Sequence, residues 1–242
     1  MEKFKLRYKR MGENSLLIEW PQTIKEEILW DILSYKNLIK KNIAQKLIYV
    51  NNAYNSLLVR YSSLNDIDSE ITDLKSLYEQ IESTGNRDSK LWEIPVCYHP
   101  SFAIDLQEMA ESKGITSEEV INLHVQNTYR VYFIGFLPGF LYLGGLPNIL
   151  NTPRKAMPRL KVPRGAVAIG GEHTGIYPME SPGGWNIIGN TPVELFQKES
   201  TKPCVIQAGD TIRFFSIDLE DYERIKSLVE NGEYILNYST ND

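Results

Sequence analysis

The stretch "VPRGAVAIGGEHTGIYPMESPGGWNIIG", Val162 to Gly189, sets short apolar runs between glycines and prolines. Runs this short, bounded by turn residues, read as strands, because a helix needs about ten or more residues to bury a stripe. The pattern extends outward. "YRVYFIGF" precedes it, and "CVIQ" and then "TIRFFS", after the Gly209-Asp210 turn, follow it. Eleven of the sixteen glycines fall between Gly135 and Gly189, and nine of the twelve prolines between Pro138 and Pro203. Only two glycines and one proline precede residue 90, so the turn-rich β architecture belongs to the second part of the chain. Many short strands with turns between them point to a barrel or a sandwich.

The first part has a different grammar. "FKLRYKR" and "SLLIEW" are strand candidates around Gly12 to Asn14. Thr23 is placed to cap a helix running to about Lys41, with Ile24, Ile28, Leu29, Ile32, Leu38 and Ile39 mostly on one stripe. Strands "KLIYV" and "LLVRY" come next. Ile67, Ile71, Leu74, Tyr78 and Ile81 then recur at spacings of three and four, predicting a second amphipathic helix. The order is β-β-α-β-β-α, and "STGNRDSK" after it reads as a linker, dividing the chain into 1–86 and 87–242. Beyond it, "LWEIPVCY" is a strand, and two short helices follow. One runs around Ile104 to Glu111 and stops at Gly114, and the other opens on the Thr116-x-x-Glu119 capping box. "DLEDYERIKSLVE", capped by Asp218 and ending at Gly232, is a late helix.

A formal net charge of -5 with scattered basic residues argues against nucleic-acid or anionic-membrane partners. No apolar run has the length of a spanning helix, two cysteines are too few for a disulfide framework, and the charged start "MEKFKLRYKR" lacks an apolar signal region. A cytoplasmic location is the expectation. No phosphate-binding glycine loop is present, and His99, His124 and His173 lack metal-ligand spacing, so neither a nucleotide nor a metal is expected on this chain.

Cys97 and His99, two apart on a presumed strand, are either a nucleophile with its base or a buried thiol beside an unrelated histidine. His124, on an amphipathic helix, reads as structural. "TPRKAMPRLKVPRG" repeats Pro-Arg at a spacing of five, giving Arg154, Arg159 and Arg164. Guanidinium forks held by prolines suit carboxylate or phosphate, and a solvated charged loop is the competing reading. "FIGFLPGFLYLGGL" either floors a groove or fills a core.

Together, "FIGFLPGFLYLGGL", "PRKAMPRLKVPRGAVAIGG", "TGIYPMESPGGWNIIGNTPVELF" and "AGDTIRF" resemble the allophanate hydrolase subunit 1-like family, whose members include the B-type chain of bacterial ATP-dependent 5-oxoprolinase and the sporulation-kinase inhibitor KipI. The similarity runs from about residue 4 to 240 and is densest between 129 and 215. It implies an α+β protein, a small α+β N-terminal domain followed by a cyclophilin-like β-barrel. It implies a non-autonomous subunit working with a C-type partner chain (allophanate hydrolase subunit 2-type) and an A-type partner chain, the complex using ATP to open 5-oxoproline to glutamate. The alternatives it carries are a KipI-like inhibitor docking on a sensor histidine kinase, and subunit 1 of an allophanate or urea-amide hydrolase. Two departures stand out: "HPS" at His99 to Ser101 replaces a Gly-Gly-Glu-like stretch, and Arg164 stands where a small residue is common.

On that resemblance the barrel carries a groove at Phe136, Pro138 and Phe140. Arg154 and Arg159 neutralise an anion, Thr174 and Ser181 donate hydrogen bonds, and Tyr177 and Trp185 form an aromatic wall. Gly183 and Gly184 adopt backbone conformations closed to other residues and admit close approach. His173 and Glu180 are the acid/base candidates.

Overall fold

The computed structural model of the protein describes residues 3–81 and 89–240. The chain divides into two compact units, Met1–Arg87 and Asp88–Asp242. Of the expected linker, 83–88 lie outside the described residues, and Lys90 already opens a strand.

In the first unit, β1 (Arg7–Arg10) and β2 (Ser15–Glu19) form a hairpin whose Gly12 has φ +77°. Helix α1 (Glu26–Ile43), strands β3 (Leu47–Asn52) and β4 (Ser56–Tyr61), and helix α2 (Ile67–Glu79) follow. The antiparallel sheet runs β1-β2-β4-β3. Alternation aims Leu16, Ile18, Leu57 and Val59 at one face, where Ile28, Ile32, Tyr35 and Ile39 of α1 and Leu74 and Tyr78 of α2 cover them. The expected Thr23 cap is not used. Lys25 takes the N-cap position without a side-chain bond, and Ile24 is exposed. Thr23 is held in a turn by its N–H to Pro21 O at 2.7 Å, and Glu26 and Glu27 place negative charge in the helix's first turn instead.

The second unit is a closed barrel. Its elements are β5 (Lys90–Cys97), α3 (Leu106–Lys113), α4 (Ser117–Val125), β6 (Thr128–Ile134), β7 (Leu141–Gly144), β8 (Arg159–Val162) and β9 (Ala166–Gly170). Then come β10 (His173–Ile176), β11 (Ser181–Gly183), β12 (Asn186–Asn190), β13 (Thr211–Ile217), α5 (Leu219–Glu230) and β14 (Tyr238–Thr240). The ring runs β12-β9-β10-β7-β6-β13-β5 and closes where Asn190 of β12 meets Cys97 of β5. β13 pairs parallel to β5, β14 lines β5's edge, and β8 with β11 forms a separate ribbon. "CVIQ" is not a strand. After Pro203 the chain turns, and the Asp210 carboxylate takes the Gln207 N–H at 2.9 Å, so that amide has no ladder to join.

All of β9 is buried, because it has an interior on both sides. Val167 and Ile169 point into the barrel with Val131, Leu143, Ile176 and Ile188. Ala166 and Ala168, on the opposite face, meet a second cluster of Phe140, Val162, Tyr177, Trp185 and Ile187. Alanine is what fits there, with large rings packed outside a strand. The site described next is built on this outer cluster.

Candidate functional site

The outer cluster is an aromatic box. Phe140 stands edge-on to Tyr177 at 5.0 Å and to Trp185 at 5.4 Å, and Tyr142 meets Trp185 edge-on at 5.9 Å. Tyr177 and Trp185 are 1% and 4% exposed, so the expected wall is largely a packed interior. Gly183 fits against it because any Cβ there would collide with the Tyr177 hydroxyl. Neither Gly183 nor Gly184 has positive φ, which corrects the conformational reading. Gly183 supplies close approach, and Gly184 supplies a carbonyl that accepts the Lys155 N–H at 2.7 Å. The positive φ instead sits at Phe136 (66°), the one non-glycine residue so found among those described. It is exposed, edge-on to Phe140 at 5.7 Å and beside exposed Pro138, and its strain marks the rim of the box.

The Pro-Arg loop lies over this box. Asn186 Nδ2 donates to Pro153 O at 3.0 Å, and the β8–β11 ladder pairs Arg159 with Gly183. Arg154 places its guanidinium carbon 5.6 Å from the Trp185 ring centroid, a cation–π contact. Arg159 turns inward. Its Nη2 donates to Asp105 Oδ1 at 2.5 Å, whereas its Nη1 is buried and has no hydrogen-bond partner among the described residues. Arg164 departs from the pair and meets Glu194 at 3.3 Å. Burial raises the Tyr177 phenol's pKa, opposed by a backbone hydrogen bond from Trp185 and by the charges of Arg154 and Arg159, which thus flank one ring.

Two further residues of the site are invisible in the sequence. Asp105, just ahead of α3 and 2% exposed, accepts Lys155 Nζ at 3.0 Å as well as Arg159, and its Oδ2 accepts the Ile187 N–H at 2.7 Å. Lys155 also meets Glu108 at 2.9 Å, and the hydrogen bonds from Glu108 and Asp105 hold its pKa up. By sequence Asp105 is an ordinary helix-opening residue. Nothing local shows that it reaches 54 residues along the chain to Arg159.

The polar candidates separate. Thr174 is fully buried, donates to Ala168 O at 3.1 Å and faces His124 Nε2 at 3.0 Å, so its hydroxyl is spent inside the barrel and does not reach a ligand. Ser181 is 7% exposed, and its Oγ lies 3.2 Å from Pro182 O. Glu180 is exposed and pairs with Lys161 at 3.3 Å, away from the box. His173 is half-buried. Burial lowers its pKa, partly offset by Glu172, and Arg154 lowers it further, which places it in Arg154's field. Cys97 is buried at the barrel seam with burial raising its thiol's pKa, while exposed His99 pairs with Ser101 at 2.8 Å, so the two form no nucleophile and base. No group of three metal-ligating side chains occurs among the described residues. The arrangement is one of recognition: two guanidinium groups, an aromatic box and an apolar rim with Met157 and Leu160 exposed.

Comparison with known proteins bears on what is recognised. The family model described as carboxyltransferase domain, subdomain C and D, matches residues 6–206. The 5-oxoprolinase B subunit of Bacillus subtilis (strain 168) is 32% identical over 228 residues, 90% of this chain and 95% of that protein. The Haemophilus influenzae protein of the same name is 41% identical over 176 residues, 73% of this chain and 82% of its own. Among solved structures, K. lactis urea amidolyase aligns with a TM-score of 0.81 over 98% of this chain at 18% identity. This chain spans 16% of that one, and the likeness is one of fold.

Proposed function

The chain belongs to the family of the carboxyltransferase domain, subdomain C and D, and from that membership we propose that it is a B-type subunit of an ATP-dependent 5-oxoprolinase, working with A- and C-type subunits. The coarser statement, one chain of an amide hydrolase built from several subunits, is what the relatives' shared name supports. The observation that carries the reading is a surface made to hold an anion, with Arg154 on Trp185 and Arg159 on Asp105, and no nucleophile and base set against each other beside it.

Opening the lactam breaks the ring C–N bond, adds water's oxygen to the carbonyl carbon and leaves the proton on nitrogen. ATP hydrolysis drives the step, and the partners hold that chemistry. This chain's contribution is to bind. Arg159 meets the substrate carboxylate, Arg154 supplies a second positive charge, and Phe136 with Phe140 covers the apolar ring. A cytoplasmic setting fits two unpaired cysteines and a described chain in which no helix is long and apolar enough to cross a membrane.

The test is reconstitution. With ATP and 5-oxoproline, the chain alone is expected to release no glutamate, and to release it once A- and C-type subunits are added. Arg159→Lys keeps the charge but loses the planar fork. A charged hydrogen bond is worth about 1.5 to 3 kcal/mol, so KM for 5-oxoproline should rise by about 10- to 150-fold. Glutamate from the chain alone, or none from the three together, ends the reading. Turnover of allophanate in place of 5-oxoproline would select the urea-amide alternative.

A further inference from the structure

Asp105 is a buried carboxylate whose two oxygens take three donors from three separate parts of the barrel. Oδ1 accepts Arg159 Nη2 at 2.5 Å and Lys155 Nζ at 3.0 Å, and Oδ2 accepts the N–H of Ile187 on β12 at 2.7 Å. Its own N–H returns to Ile187 O at 2.9 Å. Burying a charge is costly, and apolar packing would hold α3 against β12 with less penalty, so stability is a poor reason for this residue. Its geometry offers a better one. A guanidinium is planar and rigid, so fixing Nη2 also fixes the direction of Nη1. That Nη1 is buried and has no hydrogen-bond partner among the described residues.

The charges are arranged to the same end. Lys155 balances Asp105, with Glu108 as its exposed second partner, which leaves the charge of Arg159 uncancelled within the cluster. A desolvated N–H without an acceptor is expensive to keep, and an incoming acceptor gains the full interaction. We propose that Asp105 is a positioning residue that aims Arg159 Nη1 at an oxyanion, the carboxylate of an amide substrate or a phosphoryl group derived from ATP. The proposal rests on the reading of the Arg154–Arg159 surface as the ligand groove. Asp105 acts through Arg159 and touches no reacting atom.

The experiment is a double-mutant cycle in the reconstituted complex, comparing Asp105→Asn, Arg159→Ala and the double variant. KM and kcat are measured with 5-oxoproline varied and again with ATP varied, alongside thermal unfolding of each lone chain. Asp105→Asn should raise one KM by roughly 5- to 50-fold, and by less than about twofold when Arg159 is already alanine, since residues acting through one another are not additive. The KM that moves names the oxyanion: that of 5-oxoproline for a carboxylate, that of ATP for a phosphoryl group. Effects that multiply, or a lowered melting temperature with both KM values unchanged, would overturn the proposal. If Arg159→Ala leaves both KM values unchanged, the groove reading itself falls and this inference with it. Should Asp105→Asn fail to fold, Asp105→Glu keeps the charge but displaces it by one methylene, and carries the same expectation.

Discussion

At the scale of single residues, His124 shows how much one buried ring decides. Its imidazole stacks on Phe214 at 4.6 Å, and its surroundings fix the tautomer. Thr174 Oγ1 donates to Ala168 O, so it accepts from His124 Nε2–H, and Nδ1 is left to accept from the Tyr98 hydroxyl at 2.8 Å. Tyr129 adds its hydroxyl to His124 O at 2.8 Å. Burial pushes the imidazole pKa down from 6.5 to about 3, so the folded protein keeps it neutral. A lowered folded pKa means that the unfolded chain binds the extra proton. The stability tied to this ring is therefore complete above pH 6.5 and is lost as pH falls towards 3. One proton is worth about 1.4 kcal/mol per pH unit, so urea unfolding should show about 2–3 kcal/mol less stability at about pH 4.5 than at about pH 7. His124→Gln should be less stable at neutral pH but lose that much less on acidification. An equal loss in both proteins would assign the acid sensitivity to other groups.

At the scale of elements, what the sequence discloses depends on how far apart the interacting residues lie. The two amphipathic helices of the first unit follow from spacings of three and four, and α4 from its capping box. Thr116 Oγ1 accepts the Glu119 N–H at 3.1 Å, and Glu119 Oε2 accepts the Thr116 N–H at 2.7 Å. Thr116→Ala should cost about 1 kcal/mol in urea unfolding, the usual worth of such a cap. No measurable change would mean that the helix start is held by α3 and the barrel alone. The start of α1 differs from its sequence reading because threonine is a good cap in general, and nothing local says that Thr23 is committed to a turn. Pairings across long separations leave no local trace. The closing contact of Asn190 with Cys97, the β8–β11 ribbon and the reach of Asp105 to Ile187 are all of this kind. The candidate site is legible as a set of residue types, arginines and aromatics among glycines. Which of them turn inward is not, because burial of Thr174, Tyr177 and Trp185 is set by the β9 strand against which they pack.

At the scale of the whole molecule, two units carry two separate cores. That of Met1–Arg87 lies between one sheet face and two helices, and that of Asp88–Asp242 lies inside and outside a closed barrel. A barrel has no open sheet edge along its ring, and here β14 also lines part of the exposed side of β5, so the larger unit has little backbone left unpaired. Asp105, Arg154, Lys155, Arg159 and Trp185 all belong to it. The fragment Asp88–Asp242 is therefore expected to fold alone, with a cooperative thermal transition, a near-ultraviolet circular dichroism spectrum showing fixed aromatic rings, and the Arg159–Asp105 pair intact. The smaller unit buries a smaller fraction of its surface and should be the less stable fragment. The check is to express both pieces and compare their unfolding with that of the full chain. Two fragment transitions that together reproduce the full chain's profile support independent domains. A barrel fragment that unfolds without cooperativity, or whose tryptophan environment lacks fixed asymmetry, shows instead that the two cores need one another to form.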